Sequence, residues 1–206
     1  MSSKTKIGRK SLLAPLSGQA VPLEQVPDDV FSQKILGDGI AIIPTDGKIY
    51  APVDGEIVSI PETLHAYGFA SEDGLEILVH VGLDSVALKG EGFQPLVQVG
   101  DKVKKGQLVA EVDLRFLESK GVPTITPVLI CEGAENLKMN TVTGNVKAGK
   151  DTVITLGEEN AADAIVEHVA AEPKKKGINF DFLQKLGKVL MTVIAVMPAA
   201  GIMLSL

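Results

Sequence analysis

Cysteine and aromatic residues are scarce in this sequence. Tryptophan is absent and aromatics make up 4% of the residues, whereas hydrophobic residues reach 45%, which predicts a largely aliphatic core. Cys131 is the single cysteine, so no internal disulfide can form, which fits a reducing compartment. The net charge is −6, and no stretch interleaves basic with aromatic residues, which argues against nucleic acid as the main partner.

A signal peptide is also not expected. Residues 1–10 form a basic tail, and the apolar piece that follows is short and is broken by Pro15 and Gly18.

From residue 11 to residue 157, short apolar runs alternate with turn residues. The stretch GIAIIPTDGKIYAPVDGEIVSI (39–60) contains two Asp-Gly turn signals between β-branched runs. Only LRFLESKG (114–121) resembles a short helix, because Gly121 closes it. We therefore predict an all-β fold, an antiparallel β-sandwich or barrel.

The composition changes after this region. Residues 158–177 are rich in Ala, Glu and Lys and predict a linker, whereas residues 178–206 predict one amphipathic and hydrophobic helix. The run from Val189 to Leu206 carries no charge and spans about 18 residues, the lower edge for a membrane helix. Three lysines at 174–176 favour a cytoplasmic flank, so we expect attachment to the inner face of the cell membrane. The alternative is a helix that docks on the β domain.

Two of the three histidines lie in the β-rich region, and the third, His168, lies in the polar linker. His80 ends the strand-like run EILVH, where side-chain alternation places it on one face with Glu76 and Leu78. His65 lies in PETLHAYGF, at the start of a strand or the end of a loop. Hairpin-connected strands can bring two such residues together.

A histidine pair can bind a metal, act in acid–base catalysis, attack a phosphoryl group, or be purely structural. A metal site is weakly supported, because zinc requires three or four ligands and no third ligand lies at a short spacing from the two histidines. We therefore predict no metal site and no cofactor. Thr63 is a candidate to orient His65 through its hydroxyl.

The segments LLAPLSGQAVPLEQVPDDVF, PTDGKIYAPVDGEIVSIPETLHAYGF and LVHVGLDSVALKGEGF resemble the glucose-type enzyme IIA of the bacterial phosphoenolpyruvate:sugar phosphotransferase system. The resemblance covers about residues 11–156. It implies an antiparallel β-sandwich that accepts a phosphoryl group from the carrier protein HPr and passes it to a cysteine of a IIB domain.

The same resemblance implies roles for individual residues. His80 matches the phosphorylated histidine, His65 its phosphate-stabilising partner, and Thr63 the hydroxyl that orients His65. The partner-binding surface would comprise the acidic Asp28 and Asp84 and the apolar Phe31, Ile35 and Leu78. Pro61 departs from the pattern, because an aromatic residue is often found there.

The tail FDFLQKLGKVLMTVIAVMPAAGIMLSL resembles the beginning of the glucose-type IIC membrane domain, which would make IIC a further partner. The chain would then be either part of a longer IIA–IIC protein or an anchored IIA domain. Regulatory targets are also possible partners.

The sequence leaves two other functions open. The pieces APVDGEIVSI and VGDKVKKGQLVAEVD resemble biotinyl and lipoyl carrier domains, and Lys138 beside Met139 would be the modified residue. However, about twenty-five residues separate Val112 from Lys138, whereas in those domains the lysine follows directly. A regulatory binding module in which His80 is never phosphorylated is the other alternative.

Overall fold

The computed structural model describes residues 9–158, and almost all regular structure in this range is β. The strands are β1 Lys10–Leu13, β2 Gly18–Pro22, β3 Asp38–Pro44, β4 Lys48–Tyr50, β5 Gly55–Ser59, β6 Ala66–Ser71, β7 Glu76–His80, β8 Phe93–Pro95, β9 Lys102–Val103, β10 Leu108–Val112, β11 Thr126–Glu132, β12 Leu137–Thr141, β13 Gly144–Val146 and β14 Thr152–Glu158. The helices are α1 Asp29–Ser32 and α2 Leu114–Ser119, with 3₁₀ turns at Leu23–Gln25 and Ser85–Leu88.

The strands form one large sheet and two small ones. The large sheet has the order β13-β2-β3-β11-β7-β6-β5-β9, and the small sheets have the orders β1-β14-β12 and β4-β10-β8. Every pairing in these sheets is antiparallel. The predicted all-β antiparallel fold is therefore confirmed.

One hydrophobic cluster is shared by all three sheets. It includes Ile77 and Val79 from the large sheet, Leu12 and Ile154 from one small sheet, and Val109 from the other. The cluster is mostly aliphatic, as expected, but Tyr67 and Phe69 are its largest fully buried members. Aliphatic and aromatic side chains together therefore fill the space between the sheets.

The opposite face of the large sheet is also buried around β7. Leu78 is 1% exposed and lies opposite Leu129 of β11, yet both stand outside the shared cluster. The segment 23–37 lies against this outer face, with its 3₁₀ turn beside β3 and the Phe31 ring beside His80. This segment gives the sheet a second, smaller apolar layer where β7 ends.

The turns and short helices agree in part with the sequence analysis. The Asp-Gly pairs at 46–47 and 54–55 lie where β3 leads to β4 and where β4 leads to β5. In both cases the two strands belong to different sheets, so neither pair closes a hairpin. The helix predicted at 114–121 is α2, capped by the Asp113 side chain, which accepts a hydrogen bond from the Phe116 amide. The helix α1 and the two 3₁₀ turns were not predicted, because each is too short to show helical periodicity.

The linker predicted at 158–177 and the helix predicted at 178–206 lie outside the described residues, apart from Glu158 at the end of β14. Within residues 9–158, no helix is both long enough and apolar enough to cross a membrane.

Candidate functional site

The antiparallel pair β6–β7 brings the two histidines together. His65 directly precedes β6 and His80 is the last residue of β7, with Ala66 opposite His80 in the register. The Val81 amide donates to the His65 carbonyl at 2.7 Å, which extends the pairing by one step. The two imidazole centroids are 5.0 Å apart and the rings are nearly perpendicular, at 78°. The register of the β6–β7 pairing, rather than a loop, thus fixes the relative position of the two imidazole rings.

The ring of His80 has one nitrogen engaged by the backbone. Its Nδ1 lies 2.8 Å from the Gly82 carbonyl oxygen. Because a carbonyl oxygen can only accept, Nδ1 carries the proton, and in the neutral ring Nε2 keeps its lone pair. His80 is 8% exposed, so it is largely but not completely shielded from solvent. The geometry therefore leaves Nε2 as the ring nitrogen with a free lone pair.

Gly82 is the residue that makes this hydrogen bond possible. Its φ is +74°, in the left-handed region, and a side chain there would meet the Pro123 carbonyl oxygen at 2.8 Å from its Cβ. Glycine alone fits this conformation and this close approach without strain. Gly82 was not predicted as a functional residue, although its position two residues after His80 was the available signal.

His65 is oriented by its neighbour in the sequence. The Thr63 Oγ1 lies 2.7 Å from the His65 Nδ1, and the His65 ring is 1% exposed. When the hydroxyl donates to Nδ1, the proton of the neutral ring sits on Nε2, where it can be donated to a third group. Leu64 between them has a φ of +57°, a conformation that bulky residues rarely adopt. Backbone strain of this kind concentrates at functional sites.

Burial favours the neutral form of both rings. The pKa of His65 is lowered to about 3, mainly by burial and also by the nearby His80. Burial also lowers the pKa of His80, while the hydrogen bond to Gly82 and the charges of Asp28 and Asp84 oppose that shift. Both imidazoles are therefore neutral at pH 7, which is the form in which a ring nitrogen can attack phosphorus.

The predicted partner-binding residues occupy three different environments. Ile35 is 62% exposed, Asp84 is exposed and Asp28 is half-buried, so these three reach the surface. The Asp28 carboxylate also caps α1 by accepting from the Val30 amide at 2.9 Å. Asp28 and Asp84 lie close enough to His80 for their charges to act on its pKa, and Ile35 lies four residues after Phe31, whose ring contacts His80.

Phe31 and Leu78 differ from their expected exposure. Phe31 is 3% exposed, and its ring centroid is 4.9 Å from that of His80, so it packs against the imidazole. Leu78 is 1% exposed on the same strand face as His80. Both are buried. Phe31 belongs to the segment 23–37, whose contacts with β3 and with the His80 ring place it on the outer face of the sheet, and strand alternation alone did not predict this.

Two alternative chemistries find little support in the geometry. Lys138 is exposed within β12 and pairs opposite Gly157 of β14, whereas the modified lysine of a biotinyl or lipoyl domain lies in a hairpin. Among residues 9–158, no group of three or more His, Cys, Asp or Glu side chains is arranged to hold a metal ion.

Two neutral imidazoles, one with a free nitrogen and the other with a proton available for donation, form the kind of site that a histidine phosphocarrier requires. Residues 10–136 match the family described as the phosphoenolpyruvate-dependent sugar phosphotransferase system, EIIA 1. The match covers more than half of the chain, which therefore belongs to this family.

Individual relatives agree with the family assignment. The chain is 45% identical over 155 residues to the glucose-specific EIIA component of Haemophilus influenzae, covering 75% of this chain and 93% of that protein. The structure of the glucose permease IIA from Mycoplasma capricolum matches with a TM-score of 0.67 and 37% identity, covering 72% of this chain and 96% of that one.

A longer relative matches over a smaller part of its length. The glucose-specific EIICBA component of Staphylococcus saprophyticus is 48% identical over 120 residues, which is 58% of this chain but 18% of that protein. EIIA components of this system are phosphotransferases that carry phosphoryl groups on histidine, and this chain is such a phosphocarrier.

Proposed function

We propose that His80 is the residue that carries the phosphoryl group, received from the phosphohistidine of HPr. The observation that carries the proposal is the hydrogen bond from His80 Nδ1 to the Gly82 carbonyl, which leaves Nε2 as the free nitrogen. Nε2 forms the bond to phosphorus while the donor's nitrogen–phosphorus bond breaks, and the donor imidazole leaves with its electron pair. In the next step a cysteine thiolate of a IIB domain attacks the same phosphorus, and His80 leaves as a neutral ring.

His65 supplies a hydrogen bond to the phosphoryl oxygens and stabilises charge as the phosphoryl group is transferred onward. Its Nε2–H is available to donate to a phosphoryl oxygen once the Thr63 hydroxyl donates to Nδ1. The centroid separation of 5.0 Å allows a phosphoryl group on His80 to come within reach of that donor. Thr63 acts through His65 and is thus a positioning residue.

The adjacent surface serves for docking. Ile35 offers an exposed apolar contact, and Asp28 and Asp84 offer negative charge close to His80. Such an arrangement suits a partner with an apolar patch framed by basic residues, for which charge complementarity accelerates association. Phe31 is buried beneath this surface, where its ring packs against the His80 ring and supports it.

The proposed domain arrangement rests on the change of composition along the sequence. We place the IIA domain at residues 11–157, after a tail at 1–10, and a linker at 158–177. Residues 178–206 would begin a IIC membrane domain, which would hold the IIA domain in the cytoplasm at the inner face of the membrane. Relatives whose names read EIICBA, such as the glucosamine-specific component of Bacillus subtilis, agree with a protein that joins IIA to IIC.

The test is a radiolabel chase with phosphoenolpyruvate, enzyme I and HPr, followed by a IIB domain. His80→Gln should not be labelled by phospho-HPr, because no nucleophilic nitrogen remains. His65→Gln should still accept the label, but its transfer to the IIB cysteine should slow by on the order of 10²–10³, the usual cost of losing one such donor. Thr63→Ala should show a milder defect, since only the orientation of His65 is lost.

The results also separate the alternatives. A phosphoramidate is labile in acid and stable in alkali, so the label should show that behaviour. Label acceptance by His80→Gln at the wild-type rate would refute the assignment of His80. An unlabelled wild-type protein would favour the regulatory binding module, and capture by streptavidin would favour the biotinyl carrier.

A further inference from the structure

A buried hydroxyl lies under the turn that follows His80. Ser85 is 0% exposed, and its Oγ donates to the Val81 carbonyl at 2.5 Å. Among the residues that the structure describes, the buried polar side chains also include His65, His80 and Thr126. This serine is completely buried and makes a short hydrogen bond to the residue that follows His80.

The hydrogen bond from Ser85 completes the fixation of one peptide segment. The Val81 amide donates to the His65 carbonyl at 2.7 Å, and the Val81 carbonyl accepts from Ser85. Both backbone polar groups of Val81 are thus hydrogen-bonded, the amide to His65 and the carbonyl to Ser85. The next carbonyl along the chain is that of Gly82, which holds the His80 Nδ1 proton.

The far side of the same turn is held by another loop. The Leu83 amide donates to the Pro123 carbonyl at 3.0 Å, and that carbonyl also fills the space beside the Gly82 Cα. The turn is therefore anchored before and after Gly82, and Ser85 provides the only one of these three anchors that is a side chain. A side-chain anchor can be removed by substitution while the backbone pairing remains.

We propose that Ser85 is a positioning residue for phosphoryl transfer. Its hydroxyl fixes the Val81–Gly82 peptide so that the Gly82 carbonyl points at His80 Nδ1 and keeps the proton there, which leaves Nε2 free. This inference rests on the proposed role of His80 as phosphoryl acceptor. Ser85 does not contact the phosphoryl group; it acts through Val81 and Gly82.

The experiment compares Ser85→Ala with Ser17→Ala in the full chain. Ser17 is a suitable control because its Oγ also bonds to backbone, accepting from the Ala148 amide at 2.9 Å, in a part of the fold that holds neither histidine. Label acceptance from phospho-HPr should fall by about 2- to 10-fold in Ser85→Ala, the range that corresponds to one net hydrogen bond. Acceptance by Ser17→Ala should equal that of the wild type.

A second readout separates positioning from loss of stability. Nitrogen NMR of histidine-labelled protein should show His80 in the wild type with its proton on Nδ1. In Ser85→Ala the two tautomers should be mixed, whereas Ser17→Ala should keep the wild-type spectrum. Ser85→Thr restores the hydroxyl and should recover the Nδ1 tautomer. If Ser85→Ala does not fold, Ser85→Cys provides the same comparison with a weaker donor of similar size.

Failure of this inference differs from failure of the proposed function. A Ser85→Ala protein with wild-type acceptance and an unmixed Nδ1 tautomer would overturn the role of Ser85 and leave that of His80 intact. A wild-type protein that accepts no label at all would instead remove the proposed function.

Discussion

Gly82→Ala tests whether the Pro123 carbonyl holds the turn beside His80. A left-handed φ costs a residue with a Cβ about 1–2 kcal/mol. The new Cβ would also stand 2.8 Å from the Pro123 carbonyl oxygen, a backbone atom that can move only with its loop. Overpacking of this kind costs about 1–3 kcal/mol. We therefore expect the free energy of unfolding to fall by about 2–5 kcal/mol.

Gly121→Ala is the matched control. Gly121 has a φ of +72°, almost the same as the +74° of Gly82, but nothing lies within 4 Å of the Cβ position. It should therefore lose only the backbone contribution of about 1–2 kcal/mol. The change in the entropy of the unfolded chain is the same Gly→Ala change in both variants and cancels in the comparison.

The assay is urea denaturation of both variants and the wild type, combined with labelling by phospho-HPr. Gly82→Ala should be less stable than Gly121→Ala by about 1–3 kcal/mol. It should also accept label more slowly, because a shifted turn moves the Gly82 carbonyl away from His80 Nδ1. Equal stability of the two variants would show that the Pro123 carbonyl yields freely and does not hold the turn.

Two further predictions concern pH and docking. His65 has a pKa of about 3 when folded and 6.5 when unfolded, so the unfolded chain binds the proton first as the pH falls. This difference in proton binding lowers the free energy of unfolding by about 2 kcal/mol between pH 7 and pH 5. In urea titrations, His65→Gln should lose that part of the dependence of stability on pH. The same pH dependence in His65→Gln and in the wild type would show that burial does not lower the pKa of His65. Ile35→Glu should weaken HPr binding in calorimetry by about tenfold or more, whereas Ile43→Glu, also at an exposed apolar residue (43%), should not; equal effects would remove Ile35 from the docking surface.

The local pattern of the sequence determined the fold class and showed that the segments around the two histidines resemble those of a known family. Short β-branched runs separated by Asp-Gly and other glycine turns can bury their apolar faces only by pairing, which is why the antiparallel β prediction was confirmed. The segments around His65 and His80 were specific enough to indicate the phosphocarrier family, which the match over residues 10–136 confirms. The roles of the individual site residues stay predictions until the variants are measured.

Only the tertiary structure decided how the site is assembled. Alternation along β7 placed Leu78 and His80 on one face, but it could not show that both are buried there or that Phe31 packs against the His80 ring. Nor could it show which nitrogen of His80 is free, because that depends on the left-handed turn at Gly82 and on Pro123, some forty residues away in the chain. The alternation of side chains along a strand predicts which face of the sheet a residue lies on. Which residues pack against it on that face depends on segments that are distant in the sequence.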